Sequence, residues 1–179
     1  MPVSCSHRGS RGHVASILRA QGDLAGARSR QEQALALQEQ SGGKTAAALC
    51  RQDLARTALE QGRPAEAEAL ARAAATELIG QSENRRDSLY VSIVAARVLA
   101  ASGKPADAER SLQAAIAEAQ KMHLLDRELE SRLALSEIEL ASGKASAGRM
   151  GLAALKKRAA EKGFSLIARK AAAAEHKAP

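Results

Sequence analysis

The chain has 179 residues, of which 45% are apolar, 26% charged and 1% aromatic, with a net charge of +7 and two cysteines. Alanine makes up much of the apolar share, and each alanine buries little area, so a core must come from many close backbone approaches rather than large side chains. That composition excludes a disulfide framework and an aromatic-rich base-stacking surface, and no apolar run approaches the roughly 20 residues a membrane span needs.

In chain order, MPVSCSHRGSRGHVAS has no apolar stretch of the kind a secretion signal carries. The expectation is a disordered segment over 1–10 in a soluble, cytoplasmic protein. Strong helix formers dominate the rest of the chain, and β-branched residues are sparse, so the prediction is an all-α fold. Helices are predicted over 11–21, 24–40, 44–61, 64–80, 85–102, 105–122, 124–142 and 145–162. A last helix over about 164–176 comes after the Gly163 break. There Leu166, Ile167 and Ala171 should cap the preceding pair. The connections SGGK and GQSENRRD and the region near His123 are short and polar, as turns are. Cys50, within TAAALCRQDLA, reads as a small buried apolar residue.

The stretch EQGRPAEAEALARAAA at 60–75 recurs as ASGKPADAERSLQAAI at 101–116. Glycines at 22, 62, 103 and 143 give a period of about 40 residues, in the range of repeat arrays. Seven residues before each stand Ala15, Ala55, Ala96 and Ser136. Five after stand Ala27, Ala67, Ala108 and Gly148. Nine after come Gln31, Ala71, Leu112 and Leu152, and twelve after come Ala34, Ala74, Ala115 and Leu155. Small residues in such columns suit two antiparallel helices crossing closely about a turn glycine. Pro64 and Pro105 fall at the first position of a second helix, and Asp23 is placed to cap one.

These columns resemble the tetratricopeptide repeat family, which sets small residues and a glycine at matching positions. Ala55, Gly62, Ala67 and Ala74 fit, as do Ala96, Gly103, Ala108 and Ala115, and Ala15, Gly22, Ala27 and Ala34. The fourth copy departs at Ser136, Gly148 and Leu155. The family's bulky aromatic columns are missing and the period exceeds its usual length. The resemblance spans roughly 12–162 and is closest to the C-terminal end of long bacterial arrays. It implies a right-handed solenoid of about four helix pairs over 11–163, with 164–179 as capping helix and tail.

The resemblance further implies that the first helix of each pair lines a concave groove for an extended peptide or a partner helix. Six before each glycine lie Ser16, Arg56, Arg97 and Glu137. Ten before lie Gly12, Gln52, Ile93 and Leu133, and thirteen before lie Leu49, Tyr90 and Glu130. Partner-binding is expected at Gln52, Arg56, Tyr90, Ile93, Arg97, Glu130, Leu133 and Glu137. Two arginines on one wall suit a carboxylate, and Tyr90 suits an aromatic anchor. The alternative is that the arginines pair with nearby glutamates and Tyr90 packs between helices.

Other motifs fail. SGGKT lacks the P-loop's earlier glycine, having Gln38 there, and comes after a helix rather than a strand. Cys5, His7 and His13 form C-x-H-x5-H, which is short of the four closely spaced ligands of a structural zinc site. Glu128 and Glu130, and Glu137 and Glu139, lie two apart on different helix faces. No catalytic, cofactor or metal site is expected.

Three functions compete. The favoured one is a non-catalytic protein-interaction module or scaffold, with a protein or peptide partner and no membrane. The second is a regulatory C-terminal segment of a longer signalling protein. The third, disfavoured, is nucleic-acid binding through the cations at 149, 156, 157, 158, 162, 169, 170 and 177. Val14, Ile17 and Leu18 on the first helix offer a face for self-association or for further repeats.

Overall fold

A computed structural model describes residues 10–78 and 85–177, with side chains described from residue 14 to 176. Residues 1–9 of the expected disordered segment, with Cys5 and His7, the side chain of His13, and most of the turn before residue 85 lie outside the described residues, and Ser10 opens a helix. Among those described, every regular element is a helix: α1 (Ser10–Ala20), α2 (Leu24–Gln40), α3 (Lys44–Glu60), α4 (Pro64–Leu78), α5 (Arg85–Ala101), α6 (Pro105–Lys121), α7 (Leu125–Ala141), α8 (Ala145–Glu161) and α9 (Ser165–Lys177). None of them is long and apolar enough to cross a membrane.

The corners explain the pattern. Gly22, Gly42, Gly62, Gly103, Gly143 and Gly163 all have positive φ, and His123 takes the same conformation with φ 57°. At each corner the next residue donates its N–H to the carbonyl five back. Asp23 bonds Leu18, Gly43 bonds Gln38, Arg63 bonds Ala58, Lys104 bonds Leu99, Leu124 bonds Ala119, Lys144 bonds Glu139 and Phe164 bonds Ala159, at 2.8–2.9 Å. This closure satisfies orphan carbonyls at a helix end and requires a left-handed residue just before the donor. The donor's own carbonyl then accepts the first bond of the next helix, as in Ala27 to Asp23 and Ala67 to Arg63. Asp23 adds a side-chain cap, accepting from Gly26 N–H at 2.8 Å, and Pro64 and Pro105 each open a helix. The repeating corner thus recurs at about half the 40-residue interval.

The chain divides into two compact units, Met1–Val98 and Leu99–Pro179. In the first, α1 packs on α2, α2 on α3 and α3 on α4. α5 joins through a cluster of Leu49, Ala55, Ala58, Ala67, Ala71, Tyr90, Val94 and Val98. In the second, α6 packs on α7, α7 on α8, and α8 on α9, which also reaches α7. Its core holds Leu129, Leu133, Leu152, Leu155, Ala159, Ile167 and Ala171. Consecutive antiparallel packing of this kind is a helical repeat architecture.

All sixteen residues of the four columns read from the sequence are buried. In the fourth copy the departure from alanine has a cause. A Cβ on Gly148 would meet the Ser136 carbonyl oxygen at 2.8 Å and the Leu140 amide nitrogen at 2.9 Å, so α7 and α8 approach too closely for a side chain there. In α9, Ile167 and Ala171 enter the core as expected, whereas Leu166 stays half exposed. Cys50 is buried against Ala34 and Leu35.

Candidate partner-binding surface

The expected wall residues divide by depth. Gln52, Tyr90 and Ile93 in the first unit and Leu133 in the second are buried, as is Leu49. Arg56, Arg97, Glu130 and Glu137 are half-buried, and Ser16 is exposed. Position within the helical period selects the face. Depth is set by the neighbouring helix, which covers the apolar members and leaves the charged heads at the rim.

Tyr90 on α5 donates its hydroxyl hydrogen to the Asp53 carboxylate on α3. Burial, followed by the Asp53 charge, pushes its phenol well above the ordinary value, so it stays a neutral donor. It is therefore a strut between two helices. Arg56, one turn beyond Asp53, reaches Glu60 at 3.6 Å, and Arg19 of α1 approaches the same carboxylate at 3.5 Å. In the second unit Glu130 accepts from Arg127 at 2.6 Å. Gln52 is fully buried, with neither side-chain polar atom hydrogen-bonded.

Further ion pairs tie helices together. Arg28 of α2 grips Glu66 of α4 with two nitrogens, at 3.1 and 2.5 Å. That hydrogen bond outweighs burial and holds Glu66 below the ordinary carboxylate value. Arg51 of α3 bridges Glu39 of α2 and Glu77 of α4, both at 2.5 Å.

Sequence reasoning missed Glu128, which it read only as half of an ineffective carboxylate pair. This buried side chain on α7 accepts from Gln120 of α6 at 3.0 Å, Arg132 one turn on at 2.9 Å and Arg158 of α8 at 2.9 Å. Burial pushes its carboxyl up. The bonds from Arg132 and Gln120 and the Arg158 charge outweigh that effect and hold it below the ordinary value. Glu128 occupies the column filled by Ala27, Ala67, Ala108 and Gly148 at other corners, and it comes after His123 as they come after glycines. Only the i,i+4 spacing to Arg132 was visible in sequence.

Among the described residues no group of His, Cys, Asp and Glu is placed to hold a metal ion. The C-x-H-x5-H motif falls outside the described side chains.

Residues 8–76 match the family model described as tetratricopeptide repeat. No curated protein matches the chain. Tetratricopeptide repeats generally mediate protein–protein interactions and are generally non-catalytic. The match covers the first two hairpins, and the glycine corners and buried columns continue beyond it. With that architecture and that match, residues 8–76 are similar to tetratricopeptide repeats.

Proposed function

We propose that the protein is a non-catalytic scaffold that captures a peptide or partner helix on the face that first helices of hairpins present within a unit. The observation that carries this reading is the graded depth of that face. Within the first unit buried Gln52, Tyr90 and Ile93 back half-buried Arg56 and Arg97, and within the second buried Leu133 backs half-buried Glu130 and Glu137. A rigid backing lets charged groups be presented with little further ordering, which lowers the entropic cost of binding. Contact with the partner then belongs to Arg56, Arg97, Glu130 and Glu137, and the four buried residues hold them in place. Pairing of Lys156 with Glu175 at 2.6 Å weighs against a phosphate-binding basic face.

The test compares affinity capture by the wild-type chain with capture by Arg56→Glu combined with Arg97→Glu. Loss of a specifically eluted partner at unchanged helical circular dichroism is the expected result. Equal recovery by both proteins would refute this assignment of the face.

A further inference from the structure

A cleft of about 300 Å³ runs along the seam between α7 and α8 within the second unit. On α7 it is lined by Arg132, Leu135, Ser136 and Glu139, which recur at one-turn intervals and share one helix face. At 100° per residue that face lies roughly 140° around α7 from Glu130, Leu133 and Glu137. The cleft is therefore separate from the surface proposed above. Opposite stand Gly151, Leu155 and Arg158 of α8, and the Ser136 side chain of α7 seats against Gly151.

The two ends carry opposite charge. At one end Glu128 holds Arg132 and Arg158 side by side through one nitrogen of each, leaving two guanidinium charges against one carboxylate. A guanidinium has five N–H donors, so both keep donors beyond those used on Glu128. Two turns along α7 stands Glu139. Burial and then the nearby Glu109 charge raise its carboxyl above the ordinary value. Glu109 is held by Lys144 at 2.5 Å, so this end has two carboxylates against one ammonium. Seven residues at 1.5 Å rise set Arg132 and Glu139 about 10 Å apart along the axis. Between them the lining is Leu135, Leu155 and small residues.

We propose that this cleft binds an elongated zwitterion. A carboxylate docks on Arg132 and Arg158, an ammonium group docks at Glu139, and an apolar spacer lies along Leu135, Ala154 and Leu155. The shared chemistry is that of an ω-amino acid or of a peptide ending in lysine. Two Arg-directed hydrogen bonds fix the acid end.

The probe is 8-aminooctanoate, titrated into the full chain and followed by the Gly151 amide and the arginine Nε–H signals in nuclear magnetic resonance spectra. Saturable shifts at Gly151, Arg132 and Arg158 are expected, with octanoate and octylamine each binding at least about tenfold more weakly, the ratio one lost ion pair would produce. Arg158→Gln should weaken binding by a similar factor. Because that change also strips a partner from Glu128, Ala154→Leu supplies a second variant. Ala154 is an exposed cleft-lining position, and the added side chain should block the probe without loss of helicity. Acetyl-leucyl-lysine with a free carboxylate distinguishes the sources: tighter binding than 8-aminooctanoate assigns the site to a chain end, and weaker binding assigns it to a small molecule. Absence of saturable shifts, equal binding of octanoate, or unchanged binding to folded Ala154→Leu would overturn the proposal.

Discussion

Gly148→Ala probes a close backbone approach of α7 and α8. The added methyl carbon would lie 2.7 Å from Leu140 Cγ, 2.8 Å from the Ser136 carbonyl oxygen and 2.9 Å from the Leu140 amide nitrogen. Carbon contacts are comfortable from about 3.5 Å, so α7 and α8 must separate by several tenths of an ångström. Two of the three obstructing atoms are backbone, which cannot rotate aside. Overpacking of this kind costs about 1–3 kcal/mol. Alanine recovers up to about 1 kcal/mol through its better helix propensity. The net expectation is a loss of about 1–2 kcal/mol, or roughly 4–8 °C per kcal/mol in the melting temperature of a unit this size. Thermal circular dichroism measures it directly. Gly151→Ala is the internal comparison, because its methyl group would meet only the side chain of Ser136. That hydroxyl can turn away, so Gly151→Ala should cost less, and adding Ser136→Ala should recover most of the loss. A Gly148→Ala protein that melts at or above the wild-type temperature would refute the reasoning.

The other corners and buried polar groups give further expectations. His123→Gly should raise stability by about 0.5–1 kcal/mol, since a left-handed residue with a Cβ is strained and the added freedom of unfolded glycine offsets only part of the gain; a denaturant midpoint that does not rise would count against it. Gln52→Met should stabilise by about 1–3 kcal/mol, because it replaces a buried amide that has no hydrogen bond with an apolar side chain of similar shape. An unchanged or lowered midpoint would contradict this. Glu66 and Glu128 have folded carboxyl values below the ordinary 4.5. Their contribution is present above that value and lost as pH falls through their folded values, so Glu128→Gln should flatten the loss of stability below about pH 4.5. Glu139 shifts the other way. Its ionisation opposes folding as pH rises, and Glu139→Gln should raise the melting temperature at neutral pH.

Helix positions and the small buried columns were legible because both obey local rules. Glycine marks a left-handed corner, and small residues recur where backbones cross. The 20-residue step was harder to see. His123 fills a glycine's role at one corner, and the region around position 82 lies outside the described residues. Arg56, Arg97, Glu130 and Glu137 were placed on a partly open face, yet the same columns included Gln52, Tyr90, Ile93 and Leu133, which neighbouring helices cover. Periodicity reports direction around a helix axis and carries no information about what stands opposite. The Glu128 node was hidden for a related reason. Its partners come from α6, α7 and α8, so their meeting depends on packing.

Small side chains at fixed positions set how closely successive helices nest. Ala67→Leu tests this against Ala65→Leu, since the two positions share a helix while Ala67 is fully buried and Ala65 is exposed. Paired thermal melts should show a loss corresponding to about 1–3 kcal/mol for Ala67→Leu and almost none for Ala65→Leu. Equal melting of the two variants would contradict the packing on which both fold and proposed function depend.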